Sequence, residues 1–134
     1  MSTSQNEYML LLRGAGWDKN MSRDELEVMV TRFTEWFDWL DQAGVVKTGQ
    51  ALIEQGRTVS GAHGQMVLDG PFAESKEAIG GFFIVRADSL NGAMEIAKKF
   101  PGLEYGMTVE VREMAQACPA MQLTGVSPSV HATA

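Results

Sequence analysis

Asp69-Gly70-Pro71-Phe72-Ala73-Glu74-Ser75-Lys76-Glu77 runs through Ala78-Ile79-Gly80-Gly81 into Phe82-Phe83-Ile84-Val85, and the two ends of this stretch differ in kind. The last four residues are apolar without a break, which predicts a strand covered on both faces and so a central place in a sheet. The lead-in is stiff. A proline ring disfavours the α region for Gly70, and Pro71 has a fixed φ and no N–H. Asp69, Glu74, Glu77 and Lys76 thus fall within nine residues on the approach to the most buried strand.

Upstream, Tyr8-Met9-Leu10-Leu11-Leu12-Arg13 is short, apolar and followed by Gly14 and Gly16, which suits a second covered strand. The glycine-containing run Gly14 to Asn20 lacks the spacing of a dinucleotide fingerprint or a phosphate loop and reads as a surface loop. Ser22-Arg23-Asp24-Glu25 is a capping box that starts a helix ending near Gly44. Leu26, Met29, Val30, Phe33, Phe37 and Leu40 make its apolar stripe, with Glu27, Thr31, Glu35 and Asp38 opposite. Trp36 sits at the stripe's edge. Trp39 projects nearer the polar side, where protein of some kind, such as the tail, a loop or a second subunit, should cover it.

Val45 to Leu52 is a plausible next strand, and Arg57-Thr58-Val59-Ser60 with Gln65-Met66-Val67-Leu68 suggests a further strand or a hairpin leading to Asp69. Downstream, Asp88 or Ser89 caps a second helix whose core face is Leu90, Ala93, Met94 and Ala97, ended by Pro101-Gly102. Met107 to Met114 alternates with period two, a strand with one apolar face. The order is βα, two or more strands, then αβ. Two helices on one face of such a sheet leave its other face, carrying part of the Leu10, Phe83 and Val109 set, in need of cover. Residues 1–114 form the expected domain, and 115–134, with Pro119, Gly125 and Pro128, a tail that is either disordered or packed as an arm.

The segment Asp69 to Phe83 resembles the signature of the DGPF-type branch of the YCII-related proteins, Asp-Gly-Pro-Phe-x-Glu-x-Lys-Glu, and the resemblance runs from Tyr8 to Met114. It implies a ferredoxin-like βαββαβ α+β fold, an antiparallel sheet with two helices on one face, pairing into a dimeric α/β barrel. Most members have no assigned reaction. Some carry a histidine on the first helix as acid–base partner of an aspartate. With the helices matched at Gly44 that position falls at about Phe33, and this helix has no histidine, so the dyad does not carry over.

Composition narrows the function classes. A formal net charge of −6 argues against nucleic acid, whose binding rests on basic patches. No apolar run approaches the roughly 20 residues of a membrane span, the start has no signal-peptide pattern, and lone Cys118 cannot form an internal disulfide, so a cytoplasmic protein is expected. His63 sits alone between glycines, without metal-ligand spacing, and no metal or cofactor is expected. Cys118 has no histidine cue and there is no Gly-x-Ser-x-Gly element, which argues against a nucleophilic hydrolase.

Asp69 is the catalytic candidate: raised in pKa by burial it would be a general acid or base, while before Gly-Pro it equally serves as a turn residue accepting backbone N–H bonds. Glu74, Lys76, Arg112 and Trp36 are candidates for substrate binding. Two functions are open. One is a lyase or isomerase of a small organic molecule held between the first helix and the sheet. The other is a ligand-sensing or regulatory module with a protein partner, since the resemblance implies links to extracytoplasmic-function sigma factors. A homodimer whose motif serves only folding is the structural alternative.

Overall fold

The structure, a computed structural model, describes residues 6–14, 17–53, 55–69 and 78–125. In chain order they form β1 (Asn6–Arg13), α1 (Arg23–Gln42), β2 (Val46–Ala51), β3 (Arg57–Ser60), β4 (Met66–Asp69), β5 (Ile79–Ala87), α2 (Leu90–Ala97), a 3-10 turn (Pro101–Tyr105), β6 (Thr108–Glu113) and α3 (Pro119–Thr124). The main sheet has the order β2-β5-β1-β6, every pair antiparallel. This is the ferredoxin-like α+β arrangement. The hairpin β3–β4 is inserted between its second and third strands as a separate two-stranded sheet.

Local chemistry accounts for the element boundaries. Ser22 Oγ accepts from the Glu25 N–H at 3.1 Å and Glu25 Oε1 accepts from the Ser22 N–H at 2.8 Å, which completes the capping box of α1. The helix stops where Gly44 takes φ +74°, a conformation open to glycine. Of the two candidate caps for α2, Ser89 is the one used, its Oγ accepting from Gly92 N–H at 3.1 Å. β5 is longer than the apolar run inside it and lies at the centre of the sheet, in register with β1 from Asn6↔Ala87 to Leu12↔Gly81.

Side-chain alternation puts Tyr8, Leu10 and Leu12 of β1 and Phe83, Val85 and Ala87 of β5 on the face that both helices cover, where they form one core with Trp36, Leu40, Ala93, Ile96 and Phe100. Burying a large apolar side chain contributes about 1.5–3 kcal/mol, so this layer dominates stability. Several expectations are corrected here. Trp36 is 5% exposed, at the centre of the α1 stripe, and its Nε1 donates to the Ile96 carbonyl across the core, while Val30 is 60% exposed. At 100° per residue Trp36 lies about 20° from buried Met29 and Val30 about 100° away, beyond the edge. In α2 the inward residues are Ala93, Ile96 and Ala97. Leu90 and Met94 are exposed.

The uncovered face of the sheet also carries different residues from those expected. Leu10 and Phe83 lie under the helices, as does Val109 opposite Leu12. The far face holds Met9, Leu11, Phe82 and Ile84, all half-buried. Trp39 is 43% exposed, with the Lys99 ammonium 4.8 Å above its ring. Past β6 the tail forms the short, mostly exposed α3; residues 126–134 lie outside the described part.

Candidate functional site

Between α1 and the helix-covered face of the sheet lies a cavity of about 120 Å³. α1 contributes Met29 and Phe33, and β1 contributes Leu12. Phe83 and the Gly80-Gly81 pair come from β5, and Gln50 and Ala51 from β2. Phe100 and Met107, on either side of the 3-10 turn, close another wall, and Trp17 of the loop after β1 completes it. The Trp17 ring leans on Tyr105, centroids 6.3 Å apart.

Close packing holds these walls in place. Phe33 meets Phe100 edge to face at 5.7 Å and 85°, and lies 6.0 Å from Phe83. Buried Trp36 braces the same rings from behind, 5.3 Å from both Phe83 and Phe100. Two glycines are required for this arrangement. A Cβ at Gly49 would stand 2.2 Å from Cδ1 of Phe83, and one at Gly102 would stand 2.4 Å from Cε2 of Phe100 and 2.7 Å from Sδ of Met107. Both glycines therefore shape cavity walls without lining the space themselves.

On the opposite face of the sheet the charges gather. Arg13 Nη2 donates to Glu110 Oε1 at 2.7 Å, and Arg112 Nη1 to Glu110 Oε2 at 3.4 Å. The Arg13 guanidinium holds the Glu110 carboxyl below the usual carboxylate range, Arg112 adds to this, and burial opposes it. Across the sheet Lys47 Nζ pairs with Glu7 at 3.0 Å. Among the described residues no group of three His, Cys, Asp or Glu side chains is placed to hold a metal ion, and no helix is long and apolar enough to cross a membrane.

Residues 8–115 match the YCII-related domain. The chain belongs to the YCII-related family. Among curated proteins none matches it. In this YCII-related domain the residues singled out from the sequence fall in three places. Asp69 ends β4, its backbone opposite Arg57, on a hairpin that makes no extensive contact with another described element. Its side chain, and all of Glu74 and Lys76, lie outside the described residues. Arg112 is on the open face, opposite Met9 and away from the cavity. Trp36 stands behind the cavity wall rather than in it.

The structure thus brings together residues that the sequence reading did not join. Phe33, read from the sequence as part of the apolar stripe of α1, is a ring of the cavity wall. Trp17 was expected in a plain surface loop. A large ring in a short glycine-bounded run was the one available sign that something covers it. Phe100 and Met107 gave no such sign, because their meeting depends on the turn between them.

Proposed function

We propose that this YCII-related domain is of the DGPF type, a cytoplasmic homodimer that binds a small organic molecule in the cavity between α1 and the sheet. The observation that carries this reading is the cavity itself, apolar on its described walls but for Gln50 and bordered by Gly80 and Gly81, which lie within the Asp69–Phe83 segment of the resemblance. Ligand sites are characteristically concave and mostly apolar, with few polar groups. In the sequence Asp69-Gly70-Pro71 precedes Gly80 and Gly81, and a backbone restricted by proline is a suitable way to hold a carboxylate near a ligand. In the enzyme form of the reading, a lyase or isomerase, Asp69 moves a proton and Glu74 and Lys76 orient the substrate. Arg112, on the far face, then acts only where a second subunit covers that face.

A regulatory reading, a ligand-sensing module that contacts a protein such as an extracytoplasmic-function sigma factor, draws on a different observation. The β3–β4 hairpin exposes Val59, Met66, Val67 and Leu68, an apolar surface of the kind that partners cover. A thermal-shift screen of a broad metabolite set on the wild type and on Asp69→Asn separates the two. A ligand present at about 100 times its dissociation constant stabilises the native state by roughly 2.7 kcal/mol. A hit weakened in Asp69→Asn supports the acid–base reading, and a hit that binds both forms alike supports sensing. No hit, with Asp69→Asn merely less stable, leaves the motif a folding role and overturns the small-molecule reading.

A further inference from the structure

Resting on the small-molecule reading above, we infer that the ligand of the cavity is an uncharged, single-ring aromatic compound. Size sets the first limit: about 120 Å³ is close to the roughly 150 Å³ of an apolar engineered cavity that stays dry and takes up benzene, so one six-membered ring fits and a fused pair does not. Charge sets the second. None of the described lining residues carries a charged side chain, and the nearby cations Arg13 and Arg112 are bound to Glu110 on the other face of the sheet. Among the described walls a carboxylate or phosphate loses its hydration without a counter-ion.

The walls also favour an aromatic ring over a saturated one. Phe33, Phe83 and Phe100 already pack edge to face or tilted, at 5.7–6.0 Å between Phe33 and the other two. A guest ring can extend this pattern, as rings prefer offset or edge-to-face contact. Met29 and Met107 also line the cavity, and a thioether makes a favourable contact with an aromatic edge that a cyclohexane ring does not make as well.

Calorimetric titration of the full-length protein at pH 7 with phenol, cyclohexanol and benzoate tests this. Phenol is neutral at that pH, and benzoate is a single-ring aromatic anion. Phenol should bind at least tenfold tighter than cyclohexanol, and benzoate at least a hundredfold more weakly than phenol. Ala51→Leu, which extends a side chain from β2 into the cavity, should weaken phenol at least tenfold. Phe33→Ala should bring phenol and cyclohexanol within about twofold of each other. Benzoate binding as well as phenol, cyclohexanol matching phenol in the wild type, or phenol binding unchanged in Ala51→Leu would each overturn the inference. If all three fail to bind while a hit from the metabolite screen binds and is blocked by Ala51→Leu, the site stands and the ligand class falls. If neither these probes nor any metabolite binds, both readings fall.

Discussion

Gly102 illustrates how one missing side chain sets the shape of the site. It is buried in the 3-10 turn, with the Phe100 ring and the Met107 sulfur both packed where its Cβ would stand. Gly102→Ala forces both off their present positions, and overpacking of this sort costs about 1–3 kcal/mol. Urea unfolding should show that loss, and phenol affinity should fall with it because two cavity walls move together. Gly49→Ala, pressing on Phe83, should do the same from the β2 side. Glu110 carries a prediction about pH. Its pKa is lowered in the folded state by Arg13 first, so its contribution to stability is full above the ordinary glutamate value of about 4.3 and is lost as pH falls through the lower folded value. The unfolding midpoint of the wild type should therefore exceed that of Glu110→Gln at pH 7, with the gap closing below about pH 4. A gap that widens in acid would contradict the assignment.

Single elements differ in how far their sequence announces them, and the reason is the range of the interactions involved. The ends of α1 were legible because a capping box and a helix-stopping glycine act within a few residues. Ser22→Ala should cost about 0.5–2 kcal/mol, as loss of an N-cap does, with no cavity left behind because Ser22 is exposed. The inward face of the same helix was legible only in part. Trp36 reads from the sequence as a residue of the stripe's edge, yet the Ile96 carbonyl of α2, sixty residues away, accepts its indole proton and the ring lies in the core. Ile96 was missed in α2 because eight residues are too few for periodicity to choose a face. The cavity is the extreme case, since its walls come from segments scattered between Leu12 and Met107. The motif at Asp69 was visible because it is contiguous. The β3–β4 hairpin, legible from its turn residues, carries its own expectation. A two-stranded sheet without packing is marginal in water. Amides of Val59 and Val67 should exchange with solvent orders of magnitude faster than those of Leu10 and Phe83. Equal protection in the isolated protein would mean that something covers the hairpin.

For the whole molecule the question is what covers the far side of the sheet. Both helices lie on one face, and the other presents Met9, Leu11, Phe82 and Ile84 across its two central strands. Around them the charges are paired within the chain, Glu7 with Lys47 near one edge and Glu110 with Arg13 and Arg112 near the other. An apolar centre can pair with its own copy: a two-fold axis through it lays apolar on apolar, the isologous contact of most homodimers. A stable interface of standard size buries about 800 Å² per partner. Light scattering should accordingly give twice the 14.6 kDa chain mass. Ile84→Lys sets an ammonium in the middle of the face, opposite Met9 and Thr48, where a second copy would strip its water. That variant should run at the mass of a single chain while keeping its helix and strand content, since Ile84 takes no part in the helix-side core. If the wild type itself stays at the single-chain mass at high micromolar concentration, a second copy does not cover the face, and the barrel expected from the family resemblance fails with it.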